Sequence, residues 1–158
     1  MIAGLKPRGF VWVIANRLAV SDRIGGSGFQ HRRVRREEEI NWLVRDASIT
    51  AVVNLLVGQP NQHSYADAGL ATHECPIEGR PSGKQIDEIY STIDAALVGR
   101  GSRVLVHRET VDDVVAGLMG GYLIHKKLLD DPIVAVAVIQ EIVGEPIGPD
   151  GRSIISGR

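Results

Sequence analysis

Three features of the sequence predict an α/β fold with a mostly parallel central sheet of four to five strands and helices on both faces. Short apolar, β-branched runs alternate with stretches of helical periodicity. One of those runs, Thr50 to Val57, is continuously apolar apart from Asn54 and ends at Gly58, as a strand buried on both faces should read. Helix-start signals stand where the pattern turns helical: Ser82-x-x-Gln85 has capping-box spacing, and Asp131-Pro132 is an N-cap and N1 pair.

Taken in order, Val11–Ile14 and Arg17–Val20 read as two short strands about a turn at Ala15-Asn16. The glycine-rich stretch Asp22–Gly28 lacks G-x-G-x-x-G spacing and reads as a flexible surface loop. A helix follows over Arg33–Asp46, with Val34, Ile40, Leu43 and Val44 as its apolar positions. After the Thr50–Val57 strand, a short helix over Asn61–Ala68 is stopped by Gly69, and Leu70–Pro76 is a further strand. The helix opened by Ser82 places Ile86, Ile89, Ile93, Ala96 and Leu97 on one face and has Gly99 to end it. Arg103–Val106 is a short strand, followed by a polar turn and an apolar helix through Leu129. The last helix runs from Asp131-Pro132 to Val143, although Ile133, Val134, Val136, Val138 and Ile139 prefer strand by propensity. The turn-rich segment beyond, 144–158, is expected to lie on the surface or fray.

Composition bounds the rest. At 158 residues the chain fits one domain, with 44% hydrophobic and 23% charged residues, close to globular averages. Eighteen basic and nineteen acidic side chains give a net charge of −1, which argues against a nucleic-acid-binding surface as a whole. Cys75 stands alone, so there is no internal disulfide and no Cys-rich zinc site, and no apolar run is long enough to span a membrane. These features predict a cytoplasmic protein with no cofactor and no bound metal.

In parallel-sheet folds, ligands bind beyond the carboxyl ends of strands and against helix N-termini. The turn after Arg103–Val106 is therefore the place to look. It reads His107-Arg108-Glu109-Thr110-Val111-Asp112-Asp113-Val114-Val115, and its helix continues to Tyr122-Leu123. This stretch resembles the signature of the cysteine-dependent dual-specificity and protein tyrosine phosphatases, V-H-C-x5-R-[ST]-G followed by a helix ending in A-Y-L. Val106-His107 and Tyr122-Leu123 hold the register at both ends. Upstream, Trp12-Val13-Ile14 with Arg17-Leu18-Ala19 resembles the family's opening strand and turn. Ile49–Leu55 is similar to its "gI..VinL" strand, and Pro76–Pro81 resembles its general-acid loop. The resemblance covers about 10–143 and implies a three-layer phosphatase-like domain spanning 1–158, with 144–158 as a surface tail.

The same register implies that the machinery is degenerate. Arg108 stands at the nucleophile position, Val114 at the phosphate-clamping arginine, Val111 at the loop glycine and Val115 at the following hydroxyl residue. A guanidinium stays protonated and cannot attack phosphorus as a thiolate does. Valine cannot clamp two phosphoryl oxygens as an arginine fork does, and a β-branched residue resists the positive φ that glycine allows. Glu109, Asp112 and Asp113 add carboxylates around a site meant for a dianion, so a phosphate ligand is not expected there. Their structural reading, preferred over a cation-binding loop, is that Thr110 and Asp113 form a capping pair and the acids complement the helix dipole.

Glu78 falls at the general-acid position, where without a nucleophile it has nothing to assist. It reads as a solvated loop residue or a contact for Arg80 or Arg108. Cys75 reads as a small buried hydrophobe, and His107 as a support for the loop. His31, His63, His73 and His125 show no metal spacing. Arg32, Arg33, Arg35 and Arg36 precede Glu37–Glu39, and the i,i+4 pairs Arg33–Glu37 and Arg35–Glu39 make a salt-bridged helix start. The expectation is a catalytically inactive phosphatase-like domain, a pseudophosphatase, with a regulatory or scaffolding role and a protein partner. The alternatives are an enzyme with residual or non-standard phosphoester hydrolysis through Cys75 or Glu78, and a polyanion or RNA binder through Arg32–Arg36.

Overall fold

The computed structural model describes residues 3–27, 31–58 and 61–157. Its elements run β1 (Val11–Ile14), β2 (Leu18–Ser21), α1 (Arg33–Arg45), β3 (Ala51–Asn54), α2 (Gln62–Asp67), β4 (Ala71–Glu74), α3 (Gly83–Ala96), β5 (Val104–His107), α4 (Asp113–His125), α5 (Pro132–Val143) and α6 (Pro149–Ser156). The sheet order is β1-β2-β5-β3-β4, with β1 antiparallel to β2 and every other neighbouring pair parallel. Side-chain alternation divides each central strand between two cores. Leu18, Val20, Val53, Val104 and Val106 pack with α3 through α6. Ala19, Val52 and Leu105 pack with Ile40 and Leu43 of α1 and Tyr65 of α2. The result is the three-layer arrangement that the alternation of strands and helices predicts.

Local chemistry sets most boundaries. Asn54 ends β3 three residues short of the expected Val57, because its side-chain Oδ1 accepts the Leu56 N–H at 2.9 Å and turns the chain. Both halves of the Ser82/Gln85 capping box form, at 3.2 and 2.9 Å. Asp131 caps α5 by accepting the Ile133 N–H at 2.9 Å with Pro132 behind it, and Gly144 closes the helix at φ 76°. Cap chemistry thus overrides the strand propensity of the α5 sequence. Gly99 does not end α3: the helix stops at Ala96, and the Gly99 carbonyl instead accepts from Arg17 at 2.9 Å.

Two loop expectations are overturned. The glycine-rich stretch is no flexible surface loop over the residues described: Ile24, Gly25 and Gly26 are buried, and the Gly25 N–H donates to the buried Glu39 carboxylate at 2.6 Å. The segment 144–158 is not a surface tail either, because Pro149–Ser156 forms α6, whose Gly151, Ile154 and Ile155 are buried. The physical reason is close backbone approach. A Cβ at Gly117 of α4 would lie 2.5 Å from the Gly151 Cα, and one at Gly120 would lie 2.6 Å from the Ile155 side chain. The glycines of α4 open the groove that α6 fills, and Arg80 reaches across to Ser153 and Asp150.

Gly117→Val is expected to destabilise the fold by about 1–3 kcal/mol through overpacking against backbone that cannot yield. The check is urea unfolding beside Gly99→Ala, whose neighbour is the movable Ser102 side chain and which should cost less. Equal midpoints for Gly117→Val and wild type would refute the docking of α6.

Candidate active-site loop

The parallel register brings Ser21, His107, Asn54 and Glu74 into one row across the carboxyl ends of β2, β5, β3 and β4. By alternation these side chains face α1 and α2. His107 is fully buried and shares a 2.9 Å hydrogen bond between its Nε2 and the Tyr65 hydroxyl of α2. Burial is the main cause that pulls its imidazole from 6.5 down to about 4, so the ring is neutral at pH 7. Tyr65, which holds it, carries no signal in the sequence.

The next residue points to the other side of the sheet. Arg108 sends its guanidinium towards the loop after β4, donating to the carbonyls of Ile77 and Gly79 at 3.4 Å each, and pairs with Asp112 at 3.4 Å. The Arg108 side chain is only 15% exposed. It therefore ties the loop after β5 to the segment carrying Glu78. Glu78 itself is exposed, and Arg108 contacts the carbonyls on either side of it rather than its carboxylate. Arg80 turns to α6 instead, so neither expected Glu78 contact forms.

The helix start is capped differently from the expected Thr110–Asp113 pair. Asp112 is the N-cap, accepting the Val115 N–H through Oδ1 at 2.9 Å, while Thr110 is exposed. Asp113 faces α6, where its carboxylate accepts the N–H groups of Gly148 at 2.7 Å and Gly151 at 3.1 Å. Glu109 pairs with Arg23 at 3.7 Å. The three carboxylates thus do not crowd one anion site as the sequence suggested: each serves a separate neighbour. Val111 has no positive φ, and its N–H donates to Asp22 Oδ1 at 2.9 Å. Val114 is 7% exposed and packs into the core below the helix start. Two N–H groups of the loop and helix start, those of Val111 and Val115, are accordingly engaged by the carboxylates of Asp22 and Asp112. Asp22 was missed by the sequence reading, since it lies 89 positions from its partner.

A cavity of about 720 Å³ lies between the end of β4 and α3, with Cys75, Lys84, Asp87 and Thr92 among its lining residues. Cys75 is half-buried rather than fully buried, with its sulfur 3.6 Å from the Thr92 hydroxyl. Burial pushes its thiol up, away from the thiolate form a nucleophile needs. Among the described residues no group of three or more His, Cys, Asp or Glu converges as a metal site, and no helix is long and apolar enough to cross a membrane. His125 instead meets Asp94 at 2.8 Å, where Tyr122 and Lys126 also converge.

Two titrations follow from the row of strand ends. Between 6.5 and about 4 the unfolded chain binds a proton at His107 that the folded chain refuses, so this group makes stability fall as pH drops through that window. His107→Gln is expected to lower stability at pH 7 yet flatten the slope between pH 6.5 and 4 in denaturant melts; an unchanged slope would count against the assignment. Glu74 behaves oppositely. Both its carboxylate oxygens are buried without a hydrogen-bond partner, and burial, partly offset by the Asn54 side chain alongside, raises its carboxyl above 4.5. Its charged form is disfavoured in the fold, so its contribution is lost as pH rises above 4.5. Glu74→Gln should therefore raise the melting temperature at pH 7 and leave it nearly unchanged at pH 4.

No protein-family model and no curated protein matches the sequence. Solved structures do. Tk-PTP in its active form aligns with a TM-score of 0.71 at 18% identity over 94% of each chain. Kinase associated phosphatase, with its catalytic-site cysteine substituted by serine, aligns with a TM-score of 0.75 at 15% identity, over 95% of this chain and 93% of that one. Human DUSP28 aligns with a TM-score of 0.68 at 20% identity, over 96% and 94%. With its five-stranded, mostly parallel sheet and flanking helices, the chain has the fold of the cysteine-based protein tyrosine and dual-specificity phosphatases.

Proposed function

We propose that this chain is a catalytically silent phosphatase-fold domain that acts by binding a protein partner in a regulatory or scaffolding role. The observation that carries the reading is Arg108. It occupies the first position after β5, and its guanidinium is spent on Asp112 and on the carbonyls of Ile77 and Gly79. A permanently protonated group there offers no electron pair to phosphorus. Val114, buried at the start of α4, offers no fork for phosphoryl oxygens. The Asp112–Arg108 pair supplies, from within the chain, the anion and cation that a phosphate and its clamp would otherwise bring to this helix start. The retained fold with this loop filled by its own charges favours recognition over turnover.

Purified protein is expected to hydrolyse neither an aryl phosphate nor a phosphotyrosine peptide above the buffer rate, and Cys75→Ser and Glu78→Gln are expected to change nothing. Turnover abolished by either substitution would overturn the reading and place the chemistry at the Cys75 cavity or the Glu78 loop.

A further inference from the structure

A second group of cations lies on the α1 side of the loop after β5, and it is arranged against ordinary helix electrostatics. The N-cap of α1 is Arg32, which provides no side-chain acceptor, and no acidic residue lies in the first turn. Arg33, Arg35 and Arg36 instead load the positive end of the helix dipole with positive charge. Two of the arginines have local answers: Arg33 pairs with Glu37 at 3.1 Å and Arg35 with Glu39 at 3.3 Å. Among the described residues Arg36 has no ion pair of this kind, and its Nε is buried without a hydrogen-bond partner.

Two further buried polar atoms share that condition. The Nε of Arg23 and the Nε2 of His31 are also buried and unpartnered. His31 and Arg36 are drawn together over the buried Gly25, whose φ is +90°, and the charge of Arg23 reaches the same imidazole. A Cβ on Gly25 would lie 2.6 Å from His31 Nε2 and 2.9 Å from the Arg36 Cβ, so both side chains sit directly over this glycine. Burial and the neighbouring charges of Arg23, Arg36 and Arg35 hold the His31 imidazole below its usual range, which reports the same crowding of cations. Arg23 belongs to the group and to the loop at once, since its guanidinium meets Glu109 at 3.7 Å and its N–H donates to the Glu109 carbonyl at 3.1 Å. A buried N–H with no acceptor and like charges held together are each costly, and an oxyanion relieves both.

We infer that Arg23, His31 and Arg36 form a binding site for a phosphate-class oxyanion, beside the loop after β5 and separate from the Arg108–Asp112 pair. The ligand chemistry is a compact tetrahedral dianion, free or carried as a phosphomonoester, because buried Nε donors on two arginines suit phosphoryl oxygens. The inference goes beyond the proposed function and does not rest on it, since a chain that turned over phosphoesters would keep this site.

The test is a titration of the full chain with inorganic phosphate and with glycerol phosphate, followed by thermal shift and calorimetry against chloride at matched ionic strength. The expected result is stabilisation by phosphate beyond chloride. Affinity should weaken about tenfold or more in Arg36→Gln and in Arg23→Gln, and be unchanged in Arg33→Gln, which removes an equal charge from the exposed face. Tighter binding of glycerol phosphate than of phosphate marks an esterified ligand, and the reverse order marks the free ion; either supports the site. In the wild type, the Nε–Hε nuclear magnetic resonance signals of Arg23 and Arg36 should shift on titration, a readout that needs no variant to fold. Stabilisation equal to that of chloride would overturn the inference. So would binding lost in Arg108→Gln but retained in Arg36→Gln, which would place the anion in the loop itself.

Discussion

The buried hydrogen bond between Tyr65 and His107 joins the two halves of the chain at the carboxyl edge of the sheet, and the geometry of the loop beyond β5 depends on it. Both residues are wholly removed from solvent. Leaving either polar group unpaired there would cost about 1–3 kcal/mol. The bond therefore commits the His107 ring to the α1 and α2 face. Because strand side chains alternate, the residue after His107 is directed to the opposite face. Arg108 arrives against the carbonyls of Ile77 and Gly79 as a consequence of that alternation.

Around that commitment, the loop is tied together by charges and hydrogen bonds from within the chain. Asp112 caps α4 and receives Arg108, while Asp22 takes the Val111 N–H from the neighbouring strand end. Asp113 works on the far side of the helix start, holding the N–H groups at Gly148 and Gly151 where α6 begins. A helix N-terminus needs acceptors for its free donors, and carboxylates at hand provide them continuously. The arrangement makes the start of α4 a structural joint tied to the end of β5, to Asp22 and to α6. The cations around Gly25 contrast with it: there the Nε donors of Arg23 and Arg36 are buried without an acceptor among the described residues.

Several parts of the site were legible in the sequence because they depend on near neighbours. The i,i+4 pairs of α1 and the Ser82 and Asp131 caps each follow from spacing within a few residues. The position of Arg108 directly after the strand follows from the register of one strand–turn–helix unit. The carboxylates were legible as acids near a helix start but not in their assignments. Which way Asp113 turns depends on where α6 lies, and no local pattern carries that.

Local chemistry by itself determined the alternation of strands and helices, the Ser82 and Asp131 caps and the placing of Arg108 directly after β5, because propensity, periodicity and residue identity act over a few positions. Only the tertiary structure decided that Asp22 faces Val111, that Tyr65 holds His107 and that Gly25 lies beneath His31 and Arg36. It also decided that the last segment docks as α6 into the glycines of α4 rather than fraying. Apart from the Gly25 cluster these contacts join residues tens of positions apart, and those along the sheet edge exist because a parallel sheet brings distant strand ends side by side. Burial then requires every polar group gathered at that edge to find a partner or carry the cost of lacking one.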